Sequence, residues 1–115
     1  MQRDMDVVRD LLLQIEADPL LDGMHFKDVR IEGSNPMEIS YVLSMLIDSG
    51  YVTGQKGMEV PLVSGLTWRG HELLDDIRDP GVWEKTKEKA KPFVTLSISV
   101  LAEIAKAEIK KRLGL

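Results

Sequence analysis

The chain contains no cysteine. That single absence excludes a disulfide framework, a thiolate zinc site and a cysteine nucleophile together. Histidine is almost as scarce, with only His25 and His71, whereas a protein metal site needs three or four ligands. No apolar run approaches the roughly 20 residues that span a bilayer; the longest weakly polar stretch is Phe93 to Ala102. Met1 to Asp6 is charged and leads into a helical pattern instead of a signal peptide. Ser64, Ser97 and Ser99 have no nucleophile-elbow context. Gly54-x-x-Gly57 lacks the further glycine, the Lys-Ser/Thr pair and the following helix of a phosphate loop. The expectation is a non-enzymatic cytoplasmic protein with no catalytic residue, no cofactor, no metal, no membrane insertion and no small-molecule substrate.

What is present describes an ordinary globular chain. Its 115 residues fit the size of one domain, and 43% hydrophobic with 30% charged residues leaves little room for wholesale disorder. The net charge of −4 conceals an asymmetry. Residues 1–83 carry 7 Lys/Arg against 15 Asp/Glu, a net of −8, and residues 84–115 carry 8 against 4, a net of +4. Nucleic-acid binders gain affinity from a basic face, and here only the tail supplies one.

Periodicity predicts a helix from Arg3 to Ala17, with Met5, Val8, Leu12 and Ile15 on one stripe, ended by Asp18-Pro19. Residues 25–34 read as a short strand or a short helix. Asn35, Pro36 and Glu38 form a helix start, and Ile39, Val42, Leu43 and Leu46 form the inner stripe of a helix that runs to Ser49 and stops at Gly50. Tyr51 to Thr53, a turn over Gly54–Gly57 and a return from Met58 to Leu66 predict a hairpin, with Pro61 at an edge or bulge. A third helix follows from Trp68 to Arg78, with Leu74 and Ile77 inward and Trp68 beside them. Gly70 within it points to close contact between helix and sheet. A fourth helix, Val82 to Ala90, places Trp83, Thr86 and Ala90 on one side. Val94 to Val100 alternates like a strand, but composition favours a last helix from Ser97 to Arg112. That helix has apolar residues on two sides: Ile98, Leu101, Ala105 and Ile109 on one, and Val100, Ile104 and Ala107 on the other. A helix packed on one surface needs a single stripe, so the second calls for a symmetric dimer or for the tail folding back over the second helix.

Several blocks carry a resemblance. They are Leu66 to His71 continuing to Lys91, Arg3 to Asp6, the Ile39–Tyr41 helix running into Gly50–Val52, and the ending Lys111 to Leu115. Together they resemble, over nearly the whole chain, a family of small prophage-borne proteins carrying a domain of unknown function and related to winged-helix proteins. The resemblance implies an α+β fold: a winged-helix-like core over residues 1–91, with an antiparallel hairpin as the wing, and a C-terminal helical tail over 92–115. It implies a phage or prophage origin and assigns no catalytic residue. One departure stands out, because residues 25–34 make a poor first helix for a helix-turn-helix.

The outer side of the second helix is the chief candidate surface: Met37, Tyr41, Ser44, Met45 and Asp48. Base and phosphate readers rely on Arg, Lys, Asn and Gln, yet Pro36 to Ser49 contains neither Lys nor Arg and has two acids, Glu38 and Asp48. Adaptable methionine and interface-prone tyrosine suit a protein partner instead; the alternative is that the tail or a second subunit covers them. Lys85, Lys89, Lys110, Lys111 and Arg112 are the candidate basic contacts, read otherwise as solvated helix faces. His71 and Asp75, four apart, read as an acid–base or metal pair or, more simply, as a structural hydrogen-bond pair beside Trp68. Asp75, Asp76 and Asp79 read as a solvated corner at a helix end rather than a cation loop. The resulting expectation is a regulatory or protein-interaction module with a protein partner or self-association, and the alternative is a DNA-binding transcriptional regulator.

Overall fold

Short polar side chains start every helix in the computed structural model, which describes residues 4–57, 60–93 and 97–115. Asp4 caps α1 (Met5–Ala17) by accepting from the Asp6 N–H, and Asn35 caps α2 (Pro36–Asp48) by accepting from the Met37 N–H. The Thr67 hydroxyl accepts from the Gly70 N–H in the first turn of α3 (Trp68–Ile77). Asp79 and Ser97 accept from Val82 and Val100 at the starts of α4 (Pro80–Ala90) and α5 (Ile98–Arg112). Each cap satisfies a backbone donor that a helix start leaves without an intrahelical partner. Proline follows the cap in α2 and α4, where its missing N–H removes no bond. At the other end of α2, Gly50 adopts a φ of +81°, the left-handed turn-off that glycine accepts without steric cost. The predicted starts at Arg3, Met58–Glu59 and Val94–Leu96 fall outside the described residues.

The sheet is small. β1 (Val52–Gln55) pairs antiparallel with β2 (Leu62–Leu66), Val52 opposite Leu66 and Gln55 opposite Leu62, with an irregularity between Thr53 and Gly54. Gly54 and Gln55 thus belong to the strand and not to the turn that the glycine spacing predicted, and Pro61 stands immediately before β2. On the other side of β2, Lys27 exchanges both backbone hydrogen bonds with Val63, at 3.0 and 2.8 Å. Residues 25–34 therefore contribute one bridge residue and an irregular loop, with no helix. The described residues form an α+β arrangement of five helices and one two-stranded antiparallel sheet.

The chain divides into two compact units, Met1–His71 and Glu72–Leu115, with the division inside α3. In the first, α1 packs on α2 and β2, and α2 packs on β1. Val8, Leu11, Leu12, Ile15, Val42, Leu46 and Val63 are buried there. In the second, α4 packs on α5, and Trp83, Ala90, Ile98, Leu101 and Ala105 are buried. The inner stripes expected from sequence (Leu12, Ile15, Ile39, Val42, Leu43, Leu46 and Leu74) are each 4% exposed or less.

Trp68 departs from expectation: it is 81% exposed. The helical period explains why. Gly70, Leu73, Leu74 and Ile77 share the inward face of α3, and Trp68, two residues before Gly70, points about 200° away from it. Gly70 itself behaves as predicted, because a side chain there would collide with the Tyr51 carbonyl oxygen.

Two substitutions test this packing by denaturant unfolding. Leu43→Ala or Leu46→Ala should cost about 2–5 kcal/mol, the range for deleting a fully buried leucine. Gly70→Ala should destabilise, in place of the roughly 1 kcal/mol gain that alanine brings to an unhindered helix.

Candidate functional site

α2 buries Ile39, Val42, Leu43 and Leu46 and turns Met37 and Tyr41 outward, 71% and 38% exposed. Met37, Ser40, Tyr41 and Ser44 form one wall of a groove of about 320 Å³, and Lys56, Gly57, Val60 and Pro61 of the hairpin form the other. The structure thus brings together three of the five residues singled out on this helix. Asp48 does different work: its carboxylate holds the Lys56 ammonium at 2.7 Å and so tethers the hairpin to the end of α2. Met45 is half-buried and lies outside the groove lining.

A second groove adjoins the first and was not anticipated. It encloses about 350 Å³ between the loop after Lys27, the start of α2 and the hairpin, with Val29, Ile31, Ile39, Leu43, Val60 and Pro61 as apolar lining. Ser40, Val60 and Pro61 belong to both grooves. The available signal was the apolar alternation of Val29 and Ile31 in a segment with no helical pattern: without a helix there, the start of α2 keeps an open flank. The cations near these grooves are already neutralised, Arg30 by Asp28 at 3.0 Å and Lys56 by Asp48. Residues 1–71 carry 6 Lys/Arg against 11 Asp/Glu, so the surroundings of α2 are acidic.

Several basic residues of the second unit are paired with acids of the same unit. Lys85 pairs with Glu88 at 3.6 Å. Lys89 and Arg112 converge on Glu108, at 3.1 and 3.2 Å, and the Glu108 side chain is only 4% exposed. Lys110 and Lys111 remain exposed on the last turn of α5. Three of the five candidate basic contacts are therefore engaged within the chain. The Glu108–Arg112 link was legible as an i,i+4 pair; its bond to Lys89 needed the packing of α4 on α5.

The three aspartates at and just beyond the end of α3 separate into three roles. Asp75 pairs with Arg78 at 3.2 Å, and Asp79 caps α4. Asp76 faces Lys106 at 4.0 Å, an attraction too long for a hydrogen bond, and its Oδ2 is buried without a hydrogen-bond partner. His71 is exposed and lines a shallow recess with Glu16, Leu21, Asp22, Gly23 and Gly65. Among the described residues no group of three or more His, Asp or Glu is placed to hold a metal ion, and no helix is long and apolar enough to cross a membrane.

These features define a small α+β protein with an open apolar face along α2. The chain belongs to the family described as Hypothetical protein (DUF2513), which matches residues 2–97. It is similar to a protein of Haemophilus influenzae (strain Rd) described as "Uncharacterized protein", 32% identical over 119 residues, which cover 99% of this chain and 100% of that protein. No solved structure matches the chain.

Glu108 and Asp76 titrate in opposite senses. The Lys89 hydrogen bond, helped by Arg112, holds the Glu108 carboxyl below the usual glutamate range. Burial pushes the Asp76 carboxyl up, and Lys106 only partly offsets it. A lowered carboxyl stabilises the fold above its unfolded pKa, and that contribution is lost as pH falls through the folded value. A raised one costs stability at neutral pH, and the cost is relieved by acid. Thermal melts should therefore show Glu108→Gln less stable than wild type at neutral pH, the gap closing below about pH 4. Asp76→Asn should be at least as stable as wild type at neutral pH, with any advantage shrinking on acidification.

Proposed function

We propose that the protein is a non-enzymatic regulatory or protein-interaction module of a prophage, acting inside the bacterial cell, and that it engages a protein partner through the outer face of α2. The observation that carries this reading is the pairing of strong exposure with apolar character on a helix without a single Lys or Arg: Met37 and Tyr41 stand open on a groove walled by the hairpin. Exposed apolar patches of this kind mark contact sites. The scaffold reading is winged-helix-like. The order helix, bridge residue, helix, hairpin, helix supports it, as does the Lys27–Val63 bridge, which would correspond to a short first strand. On this reading the 28–34 loop stands where a helix ordinarily precedes the recognition helix. The 350 Å³ groove lies along that loop, and it enlarges the surface available to a partner.

The alternative is a DNA-binding transcriptional regulator. It rests on fold analogy, a weak warrant for function, and the charge around α2 argues against it: a helix bearing Glu38 and no Lys or Arg, in an acidic unit, repels phosphates.

Two measurements on the full chain separate the readings. Fluorescence anisotropy with mixed-sequence duplex DNA should give weak binding that disappears as salt is raised. Affinity capture from nuclease-treated host extract should retain a protein that Met37→Asp or Tyr41→Ala releases while both variants keep the wild-type melting temperature. A sequence-selective, salt-tolerant DNA complex reverses the order of the two readings.

A further inference from the structure

We infer that α5 is a self-pairing helix: two copies of the chain associate in antiparallel fashion through its outer face. The inner face is accounted for, since Ile98, Leu101, Ala102, Ala105 and Glu108 are all buried. The opposite side is a regular strip. Val100 is 44% exposed, Glu103, Ala107, Lys110 and Lys111 are exposed, and Ile104 is half-buried.

Residues seven apart on a helix drift by only about 20° and so lie along one line. Three such lines make up the strip. The middle line holds Val100 and Ala107, one flank holds Glu103 and Lys110, and the other holds Ile104 and Lys111. The middle is apolar, and the small Ala107 near its centre allows a second helix to approach closely.

The occupant follows from charge. Under a two-fold axis perpendicular to the helix, each flank faces the same flank of the second copy in reverse order. Glu103 of one copy then meets Lys110 of the other, and the relation holds twice in a symmetric dimer. A parallel pair, with its two-fold axis along the helices, sets each flank against the other flank at the same height, so Glu103 meets Ile104 and Lys110 meets Lys111; it gains no ion pair and sets lysine on lysine. Lys106, beside the same flank, is turned to Asp76 of its own chain and does not compete. A single helix face gives a modest interface, so the dimer is a reversible one that forms as concentration rises and weakens with salt.

Sedimentation velocity on the full chain at low salt, over a concentration series, tests this. The wild type should show a reversible monomer–dimer equilibrium. Glu103→Lys alone and Lys110→Glu alone should each raise the dissociation constant about tenfold, because both symmetric contacts become repulsive. An equimolar mixture of the two single variants should regain wild-type affinity or better, since each variant then presents one sign of charge to its opposite. Carrying both changes in one chain should restore association as well. These positions are exposed, so far-ultraviolet circular dichroism should be unchanged. A wild type that stays monomeric at every concentration overturns the inference, as does a dimer indifferent to both reversals, or a mixture no tighter than its components.

Discussion

The turn that leaves α2 ties the first unit together. A helix end leaves its last carbonyls without intrahelical donors; those of Met45, Leu46 and Ile47 accept from the N–H groups of Ser49, Tyr51 and Gly50, and the carbonyls of this turn accept in their place from the chain beginning α3. The Thr67 hydroxyl donates to the Gly50 carbonyl at 2.6 Å, Arg69 donates to the Ser49 carbonyl at 2.6 Å, and the Thr67 N–H donates to the Tyr51 carbonyl at 3.1 Å. The Arg69 guanidinium also stacks over the Tyr51 ring at 4.3 Å, a favourable cation–π geometry. Gly70 then has to be glycine, because this docking leaves no space between the helix and Tyr51. The hairpin is closed at its base by the same contacts, since β1 begins immediately after Tyr51 and β2 ends immediately before Thr67. With its base fixed and Lys56 tied to Asp48, the hairpin is held beside α2, which is what gives the Met37–Tyr41 face a second wall.

Much of this was legible because it depends on local chemistry. Asn35-Pro36 and Asp79-Pro80 announce helix starts whatever surrounds them, and the four-residue inner stripe of α2 identifies its buried face without knowledge of its neighbours. The cost of Gly70 in a helix interior correctly signalled a close approach. Other features depend on what lies across from them. Trp68 reads as core because it is large and apolar, and only the phase of α3, set by Gly70 against Tyr51, turns it to solvent. The hairpin turn was misplaced because Gly54 looks like a turn glycine in isolation, whereas here it lies in β1 opposite Val63. The groove beneath the 28–34 loop exists because a helix is absent, and an absence leaves a weak mark on a pattern search. Among the candidate sites, the α2 face was legible as an apolar strip, but that Asp48 binds the hairpin and that Lys89 and Arg112 share Glu108 are facts of packing.

The two most buried carboxylates of the second unit show how differently one chemical group can be accommodated. Glu108 is almost fully enclosed and yet keeps its charge, because two cations reach it at hydrogen-bonding distance. Asp76 has one cation, at 4.0 Å, and an oxygen with no donor. Burying a charge is tolerated when hydrogen bonds replace the lost water, and that condition is met at Glu108 and unmet at Asp76. The same rule bears on the basic tail. Positive residues committed to a buried acid hold the helices together, and they are unavailable to phosphates unless Glu108 is left uncompensated. Sequence counts of Lys and Arg therefore overstate the tail's capacity for nucleic acid.

The outer faces of α2 and α5 pose a common question: what an apolar residue is for when folding does not use it. Each helix has an inner stripe that is already buried, four residues in α2 and four apolar residues in α5. Met37, Tyr41, Val100 and Ala107 add nothing to those stripes, so replacing them with polar residues would leave the cores intact. Exposed apolar residues also occur elsewhere, Met24, Trp68 and Phe93 among them, so the setting of these two strips is what distinguishes them. On α2 the strip comes with no cation and with a hairpin wall set at a fixed distance, a combination suited to a partner of different shape and sequence. On α5 it is bordered by one acid and one base seven residues apart, and such a border is complementary to its own reverse. The difference in flanking charge, more than the apolar residues themselves, is the basis for proposing a foreign protein at the first face and a second copy of the chain at the second.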